Sequence, residues 1–280
     1  MEKAERKPKL ILTDLDGTLL RGDKSLSVRN RAALERAAVR GAELVVATGR
    51  FYGGVPRELL DLPFLRYFIL MNGAKVYDRK EDKVLYKMEI DLAVAEGVFD
   101  LMEPLDATVD CYQNDRGLMA RRYYDRLDYY ITDPISRQLT RHSRVPVDDF
   151  RGAVRAGGNT VQKIQCFFPH LELRPQAMAR LAQSFPQLVQ SISIPGNLEL
   201  NQKGATKGDA LLALCRTLGL DPAETAAFGD GTNDLTMLKN AGVGVAMANA
   251  APPVLAAADR MTASNEEDGV ARVLEEWSGY

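Results

Sequence analysis

Leu10-Ile11-Leu12-Thr13-Asp14-Leu15-Asp16-Gly17-Thr18-Leu19-Leu20 constrains this chain more than any other stretch. Three branched apolar residues in a row have the pattern of a buried parallel strand, and the abrupt change in polarity marks the start of a strand-to-helix loop. Asp14 and Asp16 therefore fall at the strand's carboxyl end, where open α/β sheets keep their chemistry. Side chains alternate along an extended backbone, so the two carboxylates leave on one side, and Gly17 lets the chain turn away beneath them. Two like charges about 4 Å apart repel by roughly 4 kcal/mol at an effective dielectric of 20, which calls for a cation or a shared proton. Alone, an Asp-x-Asp-Gly is as often a plain Asp-rich turn.

Composition excludes several classes. With 280 residues, 46% of them apolar, the chain has material for two compact units or one large one, with ample core. A formal net charge of −2 and no run of Lys and Arg argue against a nucleic-acid partner, with Arg121-Arg122 only a local pair. Met1 to Lys9 is charged without an apolar signal core, and no segment has the ~18 continuous apolar residues of a membrane span, so a cytoplasmic protein without a membrane partner is expected. Cys111, Cys166 and Cys215 are widely spaced and odd in number, as buried thiols are.

Along the chain the periodicity predicts a helix from Val28 to Arg40 after the N-cap Ser27, a strand over Ala42 to Ala47, a helix near Gly53 to Leu60, and a strand over Tyr67 to Met71 followed by a hairpin. Strand and helix alternate as in a doubly wound parallel sheet. The pattern changes between Leu85 and Ile194, where short strands and helices, including one over Tyr123 to Ile131, suggest an inserted α+β domain. Linkers are expected near Glu89-Ile90 and Pro195-Gly196-Asn197. The first pattern then resumes, with a helix opening at Thr206 and strands at Thr225 to Phe228 and Gly242 to Ala246. The expected division is residues 1–84 and 195–280 as core, with 85–194 inserted.

Four loops at strand ends or helix starts each supply a different chemical part. Asp14 offers a nucleophilic carboxylate and Asp16 an acid or base, while Thr48 adds a hydroxyl, Lys207 a cation, and Asp230 with Asp234 further carboxylate. This is a kit for phosphoryl transfer: a dianionic phosphate brought to Asp14 needs compensating charge from Lys207 and a metal ion. Hard oxygen ligands without His or Cys select Mg²⁺ over zinc. Lys207 lies in a helix's first turn, where a cation opposes the macrodipole, and this favours a functional reason for it. His142 and His170 stand outside every such loop and are expected at the surface or in packing.

These residues resemble the haloacid dehalogenase-like hydrolases, specifically the Cof-type phosphatases. The resemblance is carried by Asp14-Leu15-Asp16-Gly17-Thr18-Leu19, by Ala47-Thr48-Gly49-Arg50, by Lys207-Gly208-Asp209, and by Gly229-Asp230-Gly231-Thr232-Asn233-Asp234, in that order along the chain. Asn72-Gly73-Ala74 and Ser264 to Ala271 match in addition. The family implies a Rossmann-like α/β core with an inserted α/β cap of the second type. It also implies that Asp14 becomes a phosphoaspartate, that Asp16 protonates the leaving oxygen and then activates water, and that Mg²⁺ is bound by the Asp14 carboxylate, the Asp16 carbonyl and Asp230. Asn233 and Asp234 would support that site indirectly, Thr48 would bind the phosphoryl group, and Lys207 would orient Asp14 and offset its charge; Gly49, Asn72 and Lys207 are expected to contact substrate as well, and Arg50 to meet substrate or cap. Asn201-Gln202-Lys203-Gly204 departs from the pattern, where a proline is expected.

The implied activity is a Mg²⁺-dependent phosphatase acting on small phosphorylated metabolites such as sugar phosphates or phosphorylated cofactors. A phosphomutase or a more specialised sugar-phosphate phosphatase on the same scaffold is the alternative. A noncatalytic metabolite-binding regulator fits less well, because the set Asp14, Asp16, Lys207 and Asp230 is intact.

Overall fold

The computed structural model describes residues 7–194 and 196–277, and in it Leu10–Thr13 runs through the interior of an eight-stranded sheet. Its neighbours come from distant parts of the chain: Leu10 pairs with Thr225 on one side and Glu43 on the other, both in parallel. The strand order is Arg260–Met261, Val243–Ala246, Thr225–Gly229, Leu10–Thr13, Glu43–Ala47, Leu65–Leu70, Lys75–Asp78 and Lys83–Lys87. The first six of these are parallel, and the last two add an antiparallel hairpin at one edge. Leu10, Ile11 and Leu12 have no exposed surface, each adding about 1.5–3 kcal/mol of hydrophobic stabilisation over an exposed position. Parallel strands need crossovers, which here are helices such as Val28–Val39, opened by the Ser27 side chain accepting from the amide of Asn30.

The described chain divides into two compact units: residues up to Lys87 together with those from Gly204 onward, and Met88–Lys203. The expected boundaries fall elsewhere for two reasons. Lys83–Lys87 pairs with Lys75–Asp78 and so belongs to the first unit, while Asn197–Gln202 pairs with Lys163–Phe167 and Leu188–Ser191 and so belongs to the second. Pro195, the first residue of the expected exit linker, lies outside the described residues, as do positions 1–6 and 278–280.

The second unit is built on a six-stranded sheet ordered Leu188–Ser191, Asn197–Gln202, Lys163–Phe167, Asp110–Gln113, Arg116–Ala120 and Arg144–Val147. Cys111, Ile164, Cys166, Leu198 and Leu200 belong to its apolar core, joined by Val98 and Phe99 of the helix Leu92–Met102. Asp110, Lys163, Gln165 and Glu199 are also buried. Arg144 donates to Asp110 at 2.6 Å and Lys163 to Glu199 at 2.7 Å, so these charges enter the interior only in pairs.

Several local expectations need correction. Tyr123 to Ile131 is two short helices, Arg121–Tyr124 and Leu127–Tyr130, because Arg126 between them leaves the helical conformation. The helix near Gly53 to Leu60 is a single 3₁₀ turn, Tyr52–Gly54, followed by Arg57–Leu60, with Pro56 as the break. The helices Pro134–Ser143, Phe150–Ala156 and Pro252–Ala257 went unanticipated in the sequence. Their apolar periodicity is short and broken by proline or charge. Cys111, Cys166 and Cys215 are buried free thiols. Among the described residues no helix is long and apolar enough to cross a membrane.

Candidate active site

Strand order brings three carboxyl ends side by side, those of Thr225–Gly229, Leu10–Thr13 and Glu43–Ala47. Asp14 follows the central one, its amide bonded to the carbonyl of Phe228 at 3.0 Å. Asp230 follows the first, and its Oδ1 accepts from the Thr18 hydroxyl at 2.7 Å. Gly17 has φ +89°, and a Cβ there would lie 2.3 Å from Asp230 Oδ2, so a glycine is required for the Asp14 loop to lie against that carboxylate.

Lys207 reaches the same point from a helix. The helix Lys207–Leu218 opens with a capping box between Thr206 and Asp209, which satisfies its first amides and sets the direction of entry. At Gly73, φ is +116° and a Cβ would stand 2.2 Å from the carbonyl oxygen of Thr206, so the chain after Leu65–Leu70 packs directly on this helix start. The Lys207 ammonium, fully buried, donates to Asp14 Oδ1 at 2.6 Å and Asp234 Oδ1 at 2.5 Å. Asp234 Oδ2 in turn accepts from the amides of Asp230 and Gly231, both at 3.0 Å. Asp234 thereby ties the ammonium to the Asp230 loop.

Asp14, Asp230 and Asp234 each offer an oxygen within 4.8 Å of the others. Burial drives the Asp14 carboxyl well above its ordinary value, with Lys207 opposing and Asp234, Asp230 and Asp16 reinforcing the rise. Asp230 is pushed up to about 7, first by burial and then by Asp234. Burial works against the charge on Lys207, but Asp14 and Asp234 more than offset it and its pKa lies above the ordinary lysine value. One ammonium among three carboxylates, Asp14 and Asp234 buried and Asp230 partly so, leaves negative charge uncompensated. An all-oxygen donor set with that charge deficit fits a hard divalent cation. Both oxygens of Asp234 are engaged by Lys207 and the two amides, so direct contact falls to Asp14 and Asp230.

The other expected residues surround this centre in the first unit. Thr48 is buried at the end of Glu43–Ala47, its Oγ1 accepting from the amide of Arg50 at 3.2 Å, and Gly49 between them completes the turn. Asn72 has φ +62° and accepts from Asn233 Nδ2 at 3.1 Å, which couples the turn after Leu65–Leu70 to the Asp230 loop. A left-handed backbone costs a non-glycine residue energy and persists where the surroundings hold it. Arg50 does not stand apart to await a substrate: Nη2 and Nε donate to Asp16 Oδ1 and Oδ2 at 2.7 and 2.8 Å, and Nη1 donates to the carbonyl of Gly54 at 2.9 Å. Lys24 joins at 2.9 Å. Burial alone would raise the Asp16 carboxyl, but Arg50 and then Lys24 bring it down to about 2.

Sequence reasoning gave no role to Thr18, Lys24 or Asn249. Asn249 Nδ2 donates to the Gly17 carbonyl at 2.8 Å, and its Oδ1 accepts from the amide of Asn265 at 3.1 Å. Its position just past a strand's carboxyl end was the signal available. No local signal marks Lys24.

Known proteins resemble this chain along nearly its whole length. The sequence profile of one family, described as haloacid dehalogenase-like hydrolase, matches residues 11–274. The phosphatase YwpJ of Bacillus subtilis is 30% identical over 281 residues, covering 95% of this chain and 98% of YwpJ. The HMP-PP phosphatase of Serratia proteamaculans is 31% identical over 274 residues, covering 96% and 95%. The solved structure of a haloacid dehalogenase-like hydrolase from B. subtilis superposes with a TM-score of 0.84 at 29% identity, over 96% of this chain and 99% of that one. A profile match along nearly the whole length, with relatives at this identity end to end, makes this chain an enzyme of the haloacid dehalogenase-like hydrolase family.

Proposed function

We propose that the protein is a Mg²⁺-dependent phosphatase of small phosphorylated metabolites, working through a phosphoaspartate on Asp14. The observation that carries this reading is the buried Lys207 ammonium, 2.6 Å from Asp14 Oδ1 in a cluster where Asp14 and Asp230 share uncompensated charge. A carboxylate with one oxygen held by an ammonium is oriented as a nucleophile. Lys207 also lowers the repulsion that an incoming dianionic phosphate meets. Asp14 and Asp230, with the Asp16 carbonyl, are the groups that would hold Mg²⁺, and the ion would supply charge compensation to the transferred phosphoryl group.

In the first step an Asp14 carboxylate oxygen bonds to phosphorus, the ester P–O bond breaks, and the leaving oxygen takes a proton from Asp16. In the second, water gives a proton to Asp16 and bonds to phosphorus, and the aspartyl P–O bond breaks to release phosphate. Thr48 and the amides of its loop are suited to hold phosphoryl oxygens. Asp16 has both oxygens engaged by Arg50 and Lys24 as an ionised carboxylate, so it must leave that pair and take up a proton from water before it can protonate the leaving oxygen. The phosphatases named among the relatives support the reaction class. The second unit is proposed as the cap of this enzyme.

The test is phosphate release from a panel of sugar phosphates and phosphorylated cofactors with and without Mg²⁺, together with acid-quench mass spectrometry of the peptide containing Asp14. The expected result is Mg²⁺-dependent release and one added phosphoryl group on that peptide. Release undiminished by excess chelator would overturn the reading.

A further inference from the structure

The Asp16 carboxylate has two cations on it. Arg50 grips both oxygens in the planar fork that equally fits a carboxylate or a phosphate, and Lys24 adds a third donor at 2.9 Å. Three donors from two cations thus converge at the one place in the site where leaving-group chemistry is expected. Neither cation is a loose surface group: the Arg50 side chain is 16% exposed and that of Lys24 27%. Lys24 sits in the tight turn Arg21 to Ser25 at φ +71°, a backbone conformation that lysine rarely adopts. A tether for Asp16 alone would be complete with Arg50, which is already anchored on the Gly54 carbonyl.

We propose that Arg50 and Lys24 form an anion subsite beside the transferred phosphoryl group, occupied by Asp16 when no substrate is present and by a second anionic group of the substrate when one is. The favoured substrates are phosphate esters whose leaving group carries a further phosphate or carboxylate. That group takes the place of the Asp16 carboxylate on the Arg50 fork and Lys24, and Asp16 is freed to reach the leaving oxygen. Substrate identity and the release of Asp16 are thus one event: off the two cations the carboxylate takes up a proton from water, and that proton is the one it gives to the leaving oxygen. This rests on the reading of Asp14 and Asp16 given above.

The test compares matched pairs, fructose 1,6-bisphosphate against fructose 6-phosphate and 3-phosphoglycerate against glycerol 3-phosphate, so that a phosphate and a carboxylate are tried as the second anion separately. Losing a charge-assisted hydrogen bond typically costs about ten- to hundred-fold, so the doubly anionic member of at least one pair should have kcat/KM higher by about ten-fold or more. Lys24→Gln should bring that ratio close to unity, and Lys24→Arg should restore it. The same pairs are titrated by calorimetry into Asp14→Asn protein with Mg²⁺, where the affinity ratio should follow the same order. A ratio near unity for both pairs in the unmodified enzyme, or one unchanged by Lys24→Gln in protein of native circular dichroism, overturns the subsite. If no phosphate ester is hydrolysed at all, the phosphatase reading fails instead, and the calorimetric ratio alone decides the subsite.

Discussion

The Lys207 ammonium and the Asp14 carboxylate stand 2.6 Å apart although 193 positions separate them in the chain. Both are buried, and Lys207 is shared with Asp234 on its other side. The site is therefore a charge assembly in the interior of the first unit, and its behaviour follows from which charge is removed.

Removing the nucleophile's charge while keeping its shape isolates the chemistry. Asp14→Asn is expected to reduce phosphate release to background and to abolish the phosphorylated peptide, with the far-ultraviolet circular dichroism unchanged. Substantial turnover by a preparation free of wild-type enzyme would sink the covalent route.

Removing the ammonium leaves two buried carboxylates without their partner. Breaking one side of a buried ion pair typically costs about 3–5 kcal/mol, so Lys207→Met should shift the urea unfolding midpoint far down as well as ending activity. An unfolding curve superimposable on that of the parent would show that the pairing is not maintained in solution.

Asp230 and Asp234 should separate in their effects. Asp230→Ala is expected to weaken the thermal stabilisation by Mg²⁺ strongly, because it removes a candidate ligand. Asp234→Asn should weaken it less but lower intrinsic stability more, since Asp234 pairs with Lys207 and accepts from two amides of the Asp230 loop. Magnesium titrations of the melting temperature for both variants decide this, and equal losses in both columns would count against the division.

The pH dependence of the metal-free protein follows from the same charges. Asp230, raised to about 7 by burial and Asp234, keeps its proton in the fold to a higher pH than in the unfolded chain. Its contribution is present below the unfolded value of about 4 and is lost as pH rises from there through about 7. Asp14, also raised, has the same sign. Asp16, held down at about 2, has the opposite sign and matters only in strong acid. Melting temperature without metal should thus fall between pH 5 and 8, and the gain on adding Mg²⁺ should be larger at pH 8, because the ion binds the ionised carboxylates. A gain larger at pH 5 would contradict it.

In the second unit, Asp110 is buried with Oδ1 on Arg144 and, among the described residues, no hydrogen-bond partner for Oδ2. Arg144→Met should destabilise by about 3–5 kcal/mol, and the double change with Asp110→Leu should recover much of that loss. Chemical denaturation of the three proteins checks it, and additive losses would mean that the pair is not coupled.

How much of this was legible beforehand divides along a physical line. The positions of Asp14, Thr48, Lys207 and Asp230 follow from local pattern, since an apolar run that turns polar marks a strand end, and Thr206 with Asp209 marks a helix start. That these ends meet depends on which strands lie side by side, and Leu10–Thr13 is flanked by strands beginning at Thr225 and Glu43. The motif pattern suggested the meeting without dictating its contacts. The grip of Arg50 and Lys24 on Asp16, the bond from Asn233 to Asn72, and the hydroxyl of Thr18 on Asp230 are side-chain meetings across such strand ends, for which a linear sequence carries no periodicity. The second unit was harder for a related reason. Asp110, Arg144, Lys163 and Glu199 interrupt the apolar pattern, and only their pairing across neighbouring strands lets them be buried, so the strand Arg144–Val147 and the place of Asn197–Gln202 came from tertiary structure alone. Local chemistry and periodicity determined what each loop could offer; long-range pairing of strands and charges decided which groups stand within bonding distance.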